Sequence, residues 1–155
     1  MSNKKLTGIL GGCIVVVIAI VAIATLSPKP PEQVTHYSTL LRSLRDSGAS
    51  IVEKGEIHRF FLFDVEGRSV TVNESTIQVF EYANAGAMES EASCVSPDGF
   101  GFTKEKGNIG EVCSVSWINP PHFYKAGRII VFYSGDNDSI ISLLENALGT
   151  QFAGM

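Results

Sequence analysis

Three hydrophobic patterns divide the chain. From Leu6 to Leu26 the pattern is unbroken: "LTGILGGCIVVVIAIVAIATL" carries no charge over 21 residues. As an α-helix it measures roughly 30 Å at about 1.5 Å per residue, the thickness of a bilayer core. Lys4 and Lys5 precede it and the next cation is Lys29. The positive-inside bias therefore puts the N-terminus in the cytoplasm and the remainder outside. Residues 1–26 read as a cytoplasmic stub and a transmembrane signal anchor, with the lipid bilayer as partner of residues 6–26. Three rival readings use the same residues, the first of them a buried core helix. Ala22-Ile23-Ala24 has the small-x-small form of a signal-peptidase site. Leu10-Gly11-Gly12-Cys13 looks like a bacterial lipobox, although most of the apolar residues follow Cys13 rather than precede it. Inside a membrane helix Cys13 is simply a small residue.

"SPKPPEQ", residues 27–33, has three prolines in a short polar run and reads as a stiff spacer. The second pattern begins after it. Val34, Tyr37, Leu41 and Leu44 recur at helical spacing before Gly48, a C-cap candidate. They predict an amphipathic helix of about 15 residues, with Pro31 in its first turn.

The third pattern is period two. "SIVEKGEIHRFFLFDVEGRSVTVNESTIQVFEYA" is rich in β-branched and aromatic residues and broken by Lys54-Gly55, Glu66-Gly67 and Asn73-Glu74-Ser75. It predicts a meander with strands over 50–57, 59–65, 68–73 and 76–82. "ANAGAMESEA" predicts a short helix over 83–92, and residues 95–110, with four glycines, a turn-rich connection. "EVCSVSW" reads as a strand. "GRIIVFYS" is apolar on both faces, which predicts a central strand. In "DNDSIISLLENALG" Ile140, Ile141, Leu143, Leu144, Ala147 and Leu148 share a helical face, capped by Asp136 or Asp138 and by Gly149. Together these elements predict an α+β class: a transmembrane helix, then a largely antiparallel sheet of five or six strands with helices packed on one face. Residues 34–155 form the extracytoplasmic domain.

Composition narrows the function classes. The 155 residues suit one domain, and the net charge of −4 argues against a nucleic-acid surface. Past Lys5 there are ten Lys and Arg against sixteen Asp and Glu. Outside the cytoplasm, Cys94 and Cys113, 19 positions apart, form a candidate disulfide worth roughly 3 kcal/mol in a chain-entropy account. Two buried thiols are the alternative. With no CxxC and no finger-like histidine spacing, no metal or other cofactor is expected.

Candidate chemistry concentrates in "WINPPHFYKAGRIIVFYSGD", Trp117 to Asp136. Asn119-Pro120-Pro121 cannot continue a strand, since two successive residues lack an N–H. The expectation is a rigid loop over 120–126 between two core strands. The bland reading folds His122, Phe123 and Tyr124 over the end of the core. One functional reading makes His122 a general base or metal ligand near Glu81 or His58. Another makes Trp117, Phe123, Tyr124, Lys125 and Arg128 an aromatic and cationic patch for a protein or small-molecule partner. Glu81, in the apolar run "QVFEYA", calls for a cationic partner, Arg128 or Lys125. Three histidines with no HxH or HExxH spacing lean away from an enzyme, and no residue is assigned as catalytic. Asp136-Asn137-Asp138 lacks the later ligands of a calcium loop. Asn73-Glu74-Ser75 and Asn137-Asp138-Ser139 are sequons by pattern alone.

"VFEYA", "PPHFYKAGRIIVFYSGD" and "LLENALGTQFAG" resemble a group of small bacterial membrane-anchored or exported proteins with one α+β domain. The resemblance covers most of residues 36–154. It implies export in a prokaryote and carries no activity or catalytic residue. The expectation is a membrane-anchored, non-catalytic binding or interaction module; the alternative is a small envelope enzyme or metal-binding protein using His122.

Overall fold

Helix α1 runs from Tyr37 to Asp46. It starts later than the hydrophobic spacing predicts because Thr39 Oγ1 accepts the backbone N–H groups of both Thr35 and His36, each at 3.0 Å. That caps the helix at an extended His36, leaving Val34 buried in the approach. Its end follows the sequence signal. Gly48, at φ +86°, sends its N–H to Arg45 O, and Ala49 sends its own to Leu44 O. This pair of bonds is a Schellman cap.

The computed structural model describes residues 33–57, 63–106 and 109–155, within a unit spanning Glu32–Met155. The signal anchor, Cys13, the spacer up to residue 32 and His58 lie outside the described residues, as does most of the strand expected over 59–65. Phe63 to Val65 are not strand. Among the described residues no helix is long and apolar enough to cross a membrane.

The α+β class is observed. Strands β1 (Ile51–Ile57), β2 (Gly67–Val72) and β3 (Ser75–Glu81) form the meander. Helix α2 (Ala85–Ala92) follows, then a hairpin of β4 (Gly101–Lys106), inside the stretch expected as a connection, and β5 (Ile109–Ser114), which overlaps the strand expected over 111–117. Strands β6 (Pro121–Ala126) and β7 (Ile129–Ser134), helix α3 (Asp138–Leu148) and the short β8 (Ala153–Gly154) complete the unit. The main sheet has the order β1-β2-β3-β7-β6-β8, with every neighbouring pair antiparallel. β7 is central, as its two apolar faces predict.

The helices do not share one face. Alternate residues of β7 enter two different cores. Ile129, Val131 and Tyr133 pack with Leu40 and Leu44 of α1 and Ile140 and Leu144 of α3. Ile130 and Phe132 pack with Met88 and Ala92 of α2 and Phe102 of the hairpin. A strand with five consecutive buried residues needs cover on both sides, and one helical layer supplies only one.

Two turns fix the register. Asn73 and Glu74, at φ +46° and +72°, make a two-residue turn of the I′ kind between β2 and β3. The Asn73 amide oxygen also accepts the Ser50 N–H at 2.8 Å. Gly127, at φ +55°, turns β6 into β7 beneath the chain that enters α1. Arg128 N–H bonds Thr35 O there, and a Cβ on Gly127 would lie 2.3 Å from that oxygen.

Candidate functional site

The expected loop over 120–126 is strand β6. Pro121 is tolerated because it opens the strand, where its missing N–H breaks no ladder bond, and its carbonyl still accepts from Met155. The chain therefore rejoins the sheet at Pro121, not near Gly127, and the following side chains point into both cores. Phe123 and Tyr124 are fully buried. Trp117 is half-buried over Phe132, ring centroids 4.8 Å apart, and donates its indole N–H to Gly99 O at 2.8 Å. These rings form no exposed aromatic patch.

His122 is buried at 5 % exposure and stacked on Tyr133. Nε2 lies 3.0 Å from the Gly135 carbonyl, which can only accept, so this nitrogen carries a hydrogen. Nδ1 lies 2.7 Å from the Gln151 side-chain amide. Both ring nitrogens are thus held inside the fold, away from the general-base and metal-ligand roles. Glu81 is not beside it. His122 pairs with Tyr133 and Glu81 with Ile129, four residues along β7 or roughly 13 Å at about 3.3 Å per residue.

The charged candidates form separate pairs. Glu81 binds Arg128 at 2.8 Å, as its apolar setting predicted, and Arg68 at 3.6 Å. Arg68 in turn stacks over the Tyr37 ring. Lys125 does not join them; it projects from the other face to pair with Glu89. Cys94 and Cys113 are not bridged. Thr103 of β4 bonds Cys94 O on one side, and Phe102 faces Cys113 in β5 on the other. Two strand spacings of about 4.8 Å separate the cysteines, beyond the roughly 7 Å Cα limit of a disulfide.

A concave site lies elsewhere, where α2 meets β4 and the chain entering β2. A cleft of about 510 Å³ is lined by Asp64, Ser90, Glu91, Ser93, Cys94, Thr103 and Lys104. The Lys104 ammonium sits 2.9 Å from Asp64 Oδ1 and 3.2 Å from Glu91 Oε2, so one cation ties three segments together. Burial pulls the Lys104 pKa down, but the hydrogen bonds and charges of Asp64 and Glu91 outweigh it and leave the group above its ordinary value. It is a fixed cation and not a nucleophilic amine. Tyr82, 4 % exposed and not among the residues that line the cleft, has a hydroxyl without a hydrogen-bond partner among the described residues. Burial, then the charges of Glu91, Asp64 and Cys94, raise its pKa, so the phenol stays a donor. Among the described residues no group of three His, Cys, Asp or Glu side chains could hold a metal ion.

Sequence reasoning missed this cleft. Lys104 stands in "FTKEKG" with no motif around it, and its partners lie 13 and 40 positions away. No protein-family model, curated protein or solved structure matches the chain.

Proposed function

We propose that the chain is a membrane-tethered, extracytoplasmic, non-catalytic binding module, and that the cleft at Lys104 is where it recognises its partner. The observation that carries this is the ammonium held between two carboxylates at an open cleft. Such an arrangement offers fixed donors and acceptors but no group poised to transfer a proton or attack an electrophile. The uncharged run Leu6–Leu26 behind Lys4 and Lys5 supports the tether. The resemblance to exported bacterial proteins supports the same placement. A small envelope enzyme working through His122 has less support, because both ring nitrogens are engaged within the fold.

Topology is testable at Cys113, which is exposed on β5. Intact cells making the chain with Cys94→Ser are treated with a membrane-impermeant maleimide. The expected result is labelling without permeabilisation that disappears when Cys113→Ser is added. Labelling only after the membrane is opened would place the domain in the cytoplasm and overturn the proposal.

A further inference from the structure

We infer that the free edge of the β4–β5 hairpin pairs with the same edge of a second copy of the chain, antiparallel about a two-fold axis at Val115. None of the residues on this edge lines the cleft at Lys104, and the dimer goes beyond the recognition role proposed there.

Strands β4 and β5 form a two-stranded sheet in unbroken register. The chain after α2 covers the far side of β4: Thr103 N–H donates to Cys94 O and Ser96 N–H to Gly101 O. Among the described residues β5 has a strand neighbour on one side only. Val115 N–H donates to Phe100 O, so the odd-numbered backbone groups of this segment face β4. In an antiparallel ladder the alternate residues face away, here Val112, Ser114 and Ser116. Past the end of β5 exposure keeps that alternation. Ser116 and Ile118 are exposed, while Val115 and Trp117 are half-buried against the core. Native sheets guard such edges with charge, proline or a bulge. The outer strand β1 has Lys54 and a register shift at Gly55, φ +101°. Residues 112–118, "VCSVSWI", carry neither charge nor proline.

The pattern of that edge fits its own copy. Polar and apolar positions mirror about Val115: Ser114 and Ser116 flank it, and Val112 and Ile118 stand three residues out on either side. An antiparallel second copy centred on Val115 sets Ser114 opposite the partner's Ser116 and Val112 opposite the partner's Ile118, each twice over. These pairs join outward-facing backbone groups and close ladder hydrogen bonds, while Val115 meets the partner's Val115 in a pair without them. A register shifted by one residue opposes outward-facing groups with inward-facing ones. A shift of two sets Val112 or Ile118 against serine. Val112 is 70 % exposed and Ile118 fully exposed, two of the four large apolar side chains left open among the described residues. The pairing covers both in each copy. It also turns two marginal hairpins into one four-stranded sheet.

The test uses the full chain in cell membranes, with Cys13, Cys94 and Cys113 replaced by Ser and one new cysteine added. Residues directly opposite in such a pair lie about 4.5–5.5 Å apart in Cα, within disulfide reach, and diagonal neighbours about 7–8 Å apart, beyond it. With copper phenanthroline as oxidant, Val115→Cys is expected to form a disulfide-linked dimer about tenfold faster than Ser139→Cys, an exposed position on α3 that reports random collision. Adding Ile118→Asp, at a fully exposed side chain, should return Val115→Cys to the collision rate. If Val115→Cys does not fold, differently tagged chains with Ser114→Cys and Ser116→Cys, both at exposed positions, give the same reading. Their mixed dimer should outpace either self-linked dimer. Val115→Cys no faster than Ser139→Cys, with no preference for the mixed dimer, would overturn the pairing. Self-linked Ser114→Cys ahead of the mixed dimer would overturn the two-fold at Val115. A cross-link to a protein of another mass in place of the dimer would overturn the second copy as occupant.

Discussion

Glu74 shows how a single residue can work against the fold that contains it. It occupies the second position of a two-residue turn at φ +72°, where a side chain costs roughly 1 kcal/mol and glycine costs little. Asn73, the preceding residue, is suited to its own left-handed backbone and bonds Ser50 besides. Glu74→Gly is therefore expected to stabilise the domain by about 1 kcal/mol, seen as a rise of a few degrees in thermal unfolding. A fall would mean that the Glu74 side chain makes a compensating contact. Asn-Glu marks the turn in the sequence, but the strain there is visible only once the backbone angles are known.

At the scale of elements, the β4–β5 hairpin is held to the fold by Phe102 in the core, by backbone bonds between β4 and the chain after α2, and by one cation. A two-stranded hairpin is marginal by itself, and Lys104 ties it to α2 and to the chain before β2. Lys104→Met would leave Glu91, whose side chain is 16 % exposed, without its counter-charge. The expected loss is about 1–2 kcal/mol, below the figure for a fully buried pair because the site is partly wet. Adding Glu91→Met should recover much of that loss, since the stranded charge disappears with it. Thermal unfolding of the single and double variants checks this; equal losses in both would show that Lys104 contributes packing and not charge. Strand β6 teaches a different lesson about elements. Two prolines signalled a loop, yet Pro121 merely opens the strand, and the buried pair Phe123 and Tyr124 shows that the hydrophobic pattern outweighed the proline signal.

Across the whole molecule, buried tyrosines set the alkaline limit. Burial and then Glu53 push Tyr37 up to about 12, and burial with Glu145 and Tyr133 pushes Tyr124 up to about 12. Tyr82 is raised by burial as well. A phenol whose folded pKa exceeds its unfolded value of about 10 contributes stability that is complete below pH 10. That contribution is lost as pH climbs towards 12, because the unfolded chain releases its protons first. Thermal stability should therefore fall between about pH 10 and 12, and Tyr124→Phe should flatten the fall. A slope unchanged in Tyr124→Phe would mean that Tyr124 ionises alike in both states.

Local order was largely legible in the sequence of this domain. The presence of helices at 37–46, 85–92 and 138–148, three strands of the meander and the central place of β7 follow from periodicity and turns, because these depend on neighbours a few residues apart. So does the partnership of Glu81 with Arg128: a carboxylate in an apolar strand had few cations within reach. The helix starts do not, since His36 and Asn137 begin the first and last helices where the sequence points to Pro31 and to Asp136 or Asp138. What tertiary structure decided was every relation between distant segments. It placed helices on both faces of the sheet, since β7 exposes two apolar sides that must each be covered. Cys94 and Cys113 ended on opposite sides of β4, and His122 was turned inward between Gly135 and Gln151. Asp64, Glu91 and Lys104 were brought around one cleft. No periodicity encodes such meetings, because they arise from how whole elements pack and not from the spacing of residues within any one of them.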